Sequence, residues 1–431
     1  MRQAGIQSTP AIHMPTLTMY FVTANQDSAN VENYRIRAID ITTGIEKYPA
    51  VIVSGSVNAV GGAVDTFNPR AQKQRVSLNI LNGVVYFGFG SYCEQRNPDP
   101  YSGWVFGYDL QLNRKFVYSD TPTGNGGGVW QSGSPITHDG SNLFVVTANG
   151  AFDVSAGAKN FGSSVLKLNP NSVVASGPYK DSCNEPEDYF SPYNAAALST
   201  ANVDLGSTYA KLIPNTNRIF LIGKEGTAYL LDKDNMGKWN AGSDNILQRF
   251  PGSVGHASFG PMVMYDSPTK GLMIFCWSSN DYLRVFYYNK ATGTIDLSKN
   301  EVGSLQAPFP GASLMITANG QTAGSAILWA YTQTAGSFTA VEPALLRAFD
   351  VHNINVVLYS TATNPGRDNP TYYSRLSAVM CTDGKVFVPS WRPLAQGDEH
   401  VVTIYGLLNS QPPAPTPSPT CPGNCNGHGT C

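Results

Sequence analysis

One short pattern recurs seven times in this chain and constrains its fold more than any other feature. Each copy is a run of apolar residues closed by a turn residue, usually Asp or Asn, often with Thr-Gly or Asn behind it. The first reads Arg37-Ala38-Ile39-Asp40-Ile41-Thr42-Thr43-Gly44. Others are Phe106-Gly107-Tyr108-Asp109, Leu166-Lys167-Leu168-Asn169, Tyr229-Leu230-Leu231-Asp232 and Phe286-Tyr287-Tyr288-Asn289. Two more follow at Arg347-Ala348-Phe349-Asp350 and Thr403-Ile404-Tyr405-Gly406. Their fourth positions lie 69, 60, 63, 57, 61 and 56 residues apart. A near-constant spacing of this kind is the mark of a repeat architecture.

Each interval holds further strand-like runs, such as Val84-Val85-Tyr86-Phe87, Leu143-Phe144-Val145-Val146 and Arg218-Ile219-Phe220-Leu221-Ile222. Asn82-Gly83, Asp139-Gly140 and Asp383-Gly384 stand before such runs, as tight hairpin turns do. About four short strands per ~60 residues is one propeller blade, and ring closure hides most strand edges. A β-sandwich has no such period, and a solenoid period is shorter. The expectation is an all-β protein: a β-propeller of about seven four-stranded blades over residues 1–408. Composition agrees. Charged residues are 13%, about half the usual ~25%, whereas helix bundles need runs of Glu, Lys, Ala and Leu. The net charge is −2 and no Lys/Arg run exceeds two residues, so the chain has no electrostatic footprint for nucleic acid. No apolar stretch is long enough to span a bilayer.

The last repeat is expected to lack its outer strand. Its inner strands read as 376–380, 385–389 and 400–405, and Pro-rich sequence follows, which cannot ladder. The missing strand would come from an absent N-terminal segment, in which case a complete ring has eight blades, or from a neighbouring chain. Otherwise the edge stays open. Met1-Arg2-Gln3-Ala4-Gly5 has no apolar core and is no signal peptide, which is read as a natural N-terminus that is missing.

The Ala-hydrophobic-Asp-x-x-Thr-Gly hairpin of the first repeat resembles that of the quinoprotein (PQQ-like) repeat propellers. Phrases such as Gln7-Ser8-Thr9-Pro10, Gly128-Val129-Trp130-Gln131-Ser132-Gly133, Thr147-Ala148-Asn149-Gly150 and Gly223-Lys224-Glu225-Gly226 resemble a secreted subgroup of that superfamily. The resemblance is dense over residues 5–240 and loose beyond. It implies the propeller fold and names no reaction. Quinone dehydrogenases of that superfamily resemble one another in a pair of adjacent cysteines, a Trp floor and a calcium held by carboxylate and Asn. No two cysteines are adjacent here. Trp130 reads as a blade-packing aromatic and Lys224 as part of a turn, and no cofactor is expected.

Other chemistry is sparse. The histidines at 13, 138, 256, 352, 400 and 428 stand singly, outside any metal-ligand spacing. No Gly-x-Ser-x-Gly elbow occurs. Asp232-Lys233-Asp234-Asn235-Met236-Gly237 begins like a calcium loop but lacks the closing Glu, so it reads as an Asp/Asn turn. No catalytic or metal-binding residue is assigned.

Of seven cysteines, Cys276 and Cys381 lie in or beside apolar strands and read as buried free thiols. Cys93 follows the second strand of its blade, and Cys183 lies in the long connection leaving the next. Both loops belong to one face of a propeller, which predicts a Cys93–Cys183 disulfide. Residues 409–420 form a Pro-rich stem of expected polyproline II character, with Thr416, Ser418 and Thr420 as candidate O-glycosylation sites. Residues 421–431 carry Cys421, Cys425 and Cys431 in a Cys-x3-Cys-x5-Cys spacing that resembles the first half of an EGF-like module. An oxidising, extracellular location follows.

The leading expectation is a non-enzymatic structural or adhesive module of a larger surface or matrix protein. Its partners would be other copies of itself, joined head to tail through the tail, or neighbouring extracellular modules. The alternatives are a quinone- or metal-dependent oxidoreductase with a site in the channel, and a glycan-binding propeller.

Overall fold

The computed structural model describes residues 5–26, 32–58, 63–92, 100–154, 159–171, 185–252, 254–255, 260, 262–336, 341–394 and 397–407. Seven small antiparallel sheets follow one another around an axis as the blades of a propeller. The only described α-helices are Ala195–Thr200 and Pro365–Asp368.

The second strand of each blade is the sequence signal that was easiest to read. These strands are Thr18–Gln26, Val84–Ser91, Leu143–Val146, Arg218–Ile222, Gly271–Cys276, Ile327–Gln333 and Lys385–Leu394. Each pairs inward with a short first strand and outward with a third. The repeated motif ends the third strand, and its turn residue works the same way in six blades. A side-chain oxygen of Asp40, Asp109, Asn169, Asp232, Asn289 and Asp350 accepts the backbone N–H two residues on, at 2.8–3.0 Å. This Asx turn reverses the chain toward the outer strand. The seventh copy has Gly406 at that position and so no side-chain acceptor.

Blade 7 accordingly has three strand positions among the described residues. Tyr372–Tyr373 and Met380–Thr382 both pair with the inner edge of Lys385–Leu394, and Gly397–Tyr405 pairs with its outer edge. The expected inner strand over 376–380 is corrected: it begins only at Met380. Leu376 takes a left-handed φ of 61°, which breaks the extended backbone. The two later strands run longer than expected at both the 394 and 397 ends. Asp139-Gly140 is also corrected. It lies in a longer loop in which Asp139 accepts the N–H groups of Ser141 and Asn142 at 3.0 and 2.8 Å. Asn82-Gly83 and Asp383-Gly384 are the expected two-residue turns, with positive φ at both positions.

The core lies between blades. Six apolar clusters fill the six successive interfaces from blades 1–2 to blades 6–7. In blade 1 the face carrying Tyr20, Val22, Tyr34, Ile36 and Ala38 packs on Val85, Phe87, Phe89, Trp104 and Phe106 of blade 2. Strand alternation sends the other residues of blade 1 to the opposite face. Register places Ile6, Ile12, Met19, Phe21, Ile39 and Ile52 there. In blade 7, Val386 and Val388 face blade 6, and register places Met380, Phe387, Pro389, Trp391, Val402 and Ile404 on the far face. No apolar cluster joins these two outer faces among the described residues. Ile6, Ile12, Met380, Val402 and Ile404 are 50–59% exposed. The two sheet faces that flank the junction of blade 7 with blade 1 therefore expose these five apolar side chains, alongside Arg35, Arg37, Lys385 and His400, while Phe21 is buried.

Candidate functional site

The channel around the propeller axis is walled by the inner strands, and the sequence supplies small residues there. Thr9, Ser77, Ser134, Gly260, Ser313 and Ala378 come from six different blades and line a cavity of about 210 Å³. Neighbouring inner strands are stitched together at this wall. Ser77 Oγ donates to the Gly133 carbonyl, and Ser132 Oγ to that of Ser207. The Tyr209 hydroxyl donates to the Met262 carbonyl at 2.7 Å. Ser313 Oγ is buried without a hydrogen-bond partner. Tyr373 also lines the cavity, and burial pushes its phenol up to about 12, so it is a neutral donor at ordinary pH.

Arg75 stands close to Gly133 of this wall. The strand pieces Gln72–Gln74 and Asn79–Leu81 flank a bulge: Gln74 pairs with Phe89 and Asn79 with Tyr86. Four residues, 75–78, thus stand against two, and the excess chain bends out of the ladder. The Arg75 Nη2 atom lies 3.7 Å from where a β-carbon on Gly133 would stand.

A second polar cluster lies between blades 2 and 3. Asp120 is fully buried, and its Oδ1 accepts the Gly103 N–H at 2.7 Å. A β-carbon on Gly127 would stand 2.3 Å from both carboxylate oxygens, so glycine is required for the loop to close over it. Burial holds the Asp120 carboxyl well above the usual carboxylate range, and Asp65 adds to the shift. Asp65 is raised by burial too, although the hydroxyls of Ser119 and Ser102 oppose this. The Ser119 bond is 2.6 Å. Neither carboxyl is among the residues that line the channel cavity.

No protein-family model matches the chain, and none of the curated proteins matches it. Solved structures do resemble it. A putative 6-phosphogluconolactonase from Bacteroides fragilis is 14% identical, with a TM-score of 0.40 over 81% of this chain and 82% of that one. The Cps50 (Swd1) β-propeller domain of Myceliophteria thermophila is 9% identical, with a TM-score of 0.44 over 94% and 98%. A glucose dehydrogenase is 14% identical, with a TM-score of 0.39 over 77% and 94%. At this identity and overlap none of them lends an activity to this chain, and the fold rests on the seven sheets themselves.

The residues weighed from sequence fall as follows. Trp130 lies flat against backbone: a β-carbon on Gly90 would stand 2.6 Å from its ring. Lys224 Nζ donates to the Asn202 carbonyl at 2.8 Å and pairs with Asp204 at 3.0 Å, so it fixes a turn. Asp232 binds Arg218 and Asn217 inside its Asx turn. Among the described residues no three His, Cys, Asp or Glu side chains converge as a metal site. Cys276 is a buried free thiol as expected, whereas Cys381 is only half-buried. Cys93, Cys183, Thr416, Ser418, Thr420, Cys421, Cys425 and Cys431 lie outside the described residues. Arg75, Asp120 and Asp65 escaped sequence reasoning. One signal was there for Arg75: Gln7-Ser8 and Gln131-Ser132 open the same phrase that reads Gln74-Arg75 in blade 2.

Proposed function

We propose that this chain is a non-enzymatic structural module of an extracellular surface or matrix protein, which joins further copies head to tail through its two open sheet faces. The observation that carries this reading is the exposure of Ile6 and Ile12 on blade 1 and of Met380, Val402 and Ile404 on blade 7, on the two faces that flank their junction. Each exposes aliphatic side chains of the kind that fill the six closed interfaces, so the surface that fits it best is the opposite face of another blade of this repeat. The two faces differ in sequence, so contact between copies is heterologous, which propagates unless rotation closes it. The outer edge of Gly397–Tyr405 has no described strand beside it, which adds a backbone edge to the same end of the molecule. The extracellular placement is supported by the Pro-rich stretch and by the spacing of Cys421, Cys425 and Cys431.

Sedimentation velocity over a range of concentrations tests the reading. The wild-type chain should form a ladder of species. Val402→Lys with Ile404→Lys spoils one face, and Ile12→Glu spoils the other. Each variant alone should be monomeric, and their mixture should stop at dimers. A wild-type chain that stays monomeric at all concentrations, with its outer faces protected from hydrogen exchange, would mean that blades 7 and 1 close on each other and would overturn the proposal.

A further inference from the structure

We propose that a cavity between blades 4 and 5 binds one neutral sugar residue, held through a vicinal diol by Asp266 and Lys290 and by the Tyr288 hydroxyl. The wall on blade 5 follows from strand register. Asp266 pairs with Leu272 and Leu272 with Tyr288, so the three stand in a row on one sheet face. Lys290 follows Tyr288 by two residues and reaches back along the row, with Nζ 2.6 Å from Asp266 Oδ2. Leu272 and Tyr288 belong to the apolar cluster that fills the interface of blades 4 and 5, and Met264 packs against it. The facing wall is the turn of blade 4 that carries Asn215, and a cavity of about 260 Å³ lies between the two.

The polar groups of this cavity have hydrogen bonds left to make. Tyr288 is 6% exposed. Its hydroxyl makes no hydrogen bond among the described residues, yet it is not cut off from solvent as that of Tyr265 is. The opening left to Tyr288 is therefore at its polar tip. Asp266 and Lys290 have only each other as partners among the described residues, which leaves Asp266 Oδ1 as an acceptor and two N–H groups of Lys290 as donors. Asn215 is exposed and adds an amide donor and a carbonyl acceptor. No other charged side chain lines the cavity, so the lining is neutral and favours neither an anion nor a cation. A vicinal diol carries a donor and an acceptor side by side, the complement of an adjacent carboxylate and ammonium. The C–H face of the same ring rests on Leu272 and Met264, the pattern of an apolar site with a few placed polar groups. The volume is below the ~300–1,000 Å³ of sites for larger ligands, which limits the occupant to a single ring.

The test is ligand-observed NMR and titration calorimetry on the full chain. The probes are D-glucose, D-galactose, D-mannose and N-acetyl-D-glucosamine, with cyclohexanol as a ring that lacks a diol. At least one sugar should bind saturably, and cyclohexanol should not. Tyr288→Phe should weaken sugar binding ~2–10-fold, the worth of one hydrogen bond, and Asp266→Ala should weaken it at least as much. Tyr288→Phe keeps the ring and the Asp266 side chain is 52% exposed, so both variants should keep the circular dichroism spectrum of the wild type. Binding of none of the four sugars, equal binding of cyclohexanol, or a sugar affinity that neither variant changes would overturn the proposal. The proposal is independent of association between copies, because blades 4 and 5 carry neither of the outer faces.

Discussion

Gly103 donates its N–H to Asp120 Oδ1 at 2.7 Å, while the second oxygen of that carboxyl, Oδ2, is buried with no hydrogen-bond partner. A charge placed there would be half solvated by the protein at best. The folded chain therefore keeps a proton on Asp120 that the unfolded chain releases above about pH 3.9. The stability this contributes is complete below that pH and is lost as pH rises through the folded-state value. Asp120→Asn removes the titration and nearly keeps the shape. The Tm difference between variant and wild type should move in favour of the variant as pH goes from 4 to 8. A difference that does not change with pH would show that Asp120 is not held neutral.

The Asx turn that closes each repeat is a local stabiliser that can be removed singly. Asp232 accepts the Asp234 N–H at 2.9 Å, Asn217 Nδ2 at 3.1 Å and Arg218 Nη1 at 2.8 Å. Asp232→Ala should cost ~1–2 kcal/mol in denaturant unfolding. Asp232→Asn keeps the backbone bond and should recover part of this. Equal losses for the two variants would assign the effect to the ion pair alone.

Tyr331 ties blade 6 to blade 7. Its hydroxyl donates to the Pro389 carbonyl at 2.5 Å and accepts the Ser374 N–H at 3.0 Å. Tyr331→Phe leaves both backbone groups without this partner, a loss of ~1–3 kcal/mol. Hydrogen exchange should accelerate across 385–405 and stay as it was in blades 2–4. Uniform acceleration over the chain would refute the local assignment.

The two described thiols should differ in reactivity. Burial pushes Cys276 up to about 12 and Cys381 up to about 11, and thiol attack requires the thiolate. At pH 8 iodoacetamide should label Cys381 slowly and Cys276 only on unfolding, as read by peptide mass spectrometry. Rapid labelling of Cys276 in the native chain would contradict its burial.

The sequence showed the repeat because the Asx turn is local chemistry: Asp40 needs only its own loop to act. The second strands were legible for the same reason, being continuous apolar runs between turn signals. The first strands were not. Thr137–His138 and Lys211–Leu212 are two residues long, too short for any periodicity to register, and the neighbouring blade fixes their course. Nothing local in the sequence marks Asp120 as buried. Its burial depends on Gly103 and Gly127, which approach it only after blade 2 has folded and met blade 3. Arg75 was hidden by a bulge that exists only against Phe87 and Gly88. The uncovered faces were half legible: the missing outer strand followed from the Pro-rich sequence, whereas an unfilled junction with blade 1 is a property of the ring.

Among the described residues six junctions of the ring are filled by apolar clusters and the junction of blade 7 with blade 1 is not. In such a row each sheet owes its stability to the neighbours it touches, and the terms add along the row. Among the described residues blades 1 and 7 each share one apolar cluster with a neighbour, and the middle five each share two. Unfolding therefore has two places to begin, and an added surface at either end lengthens the row by one interface.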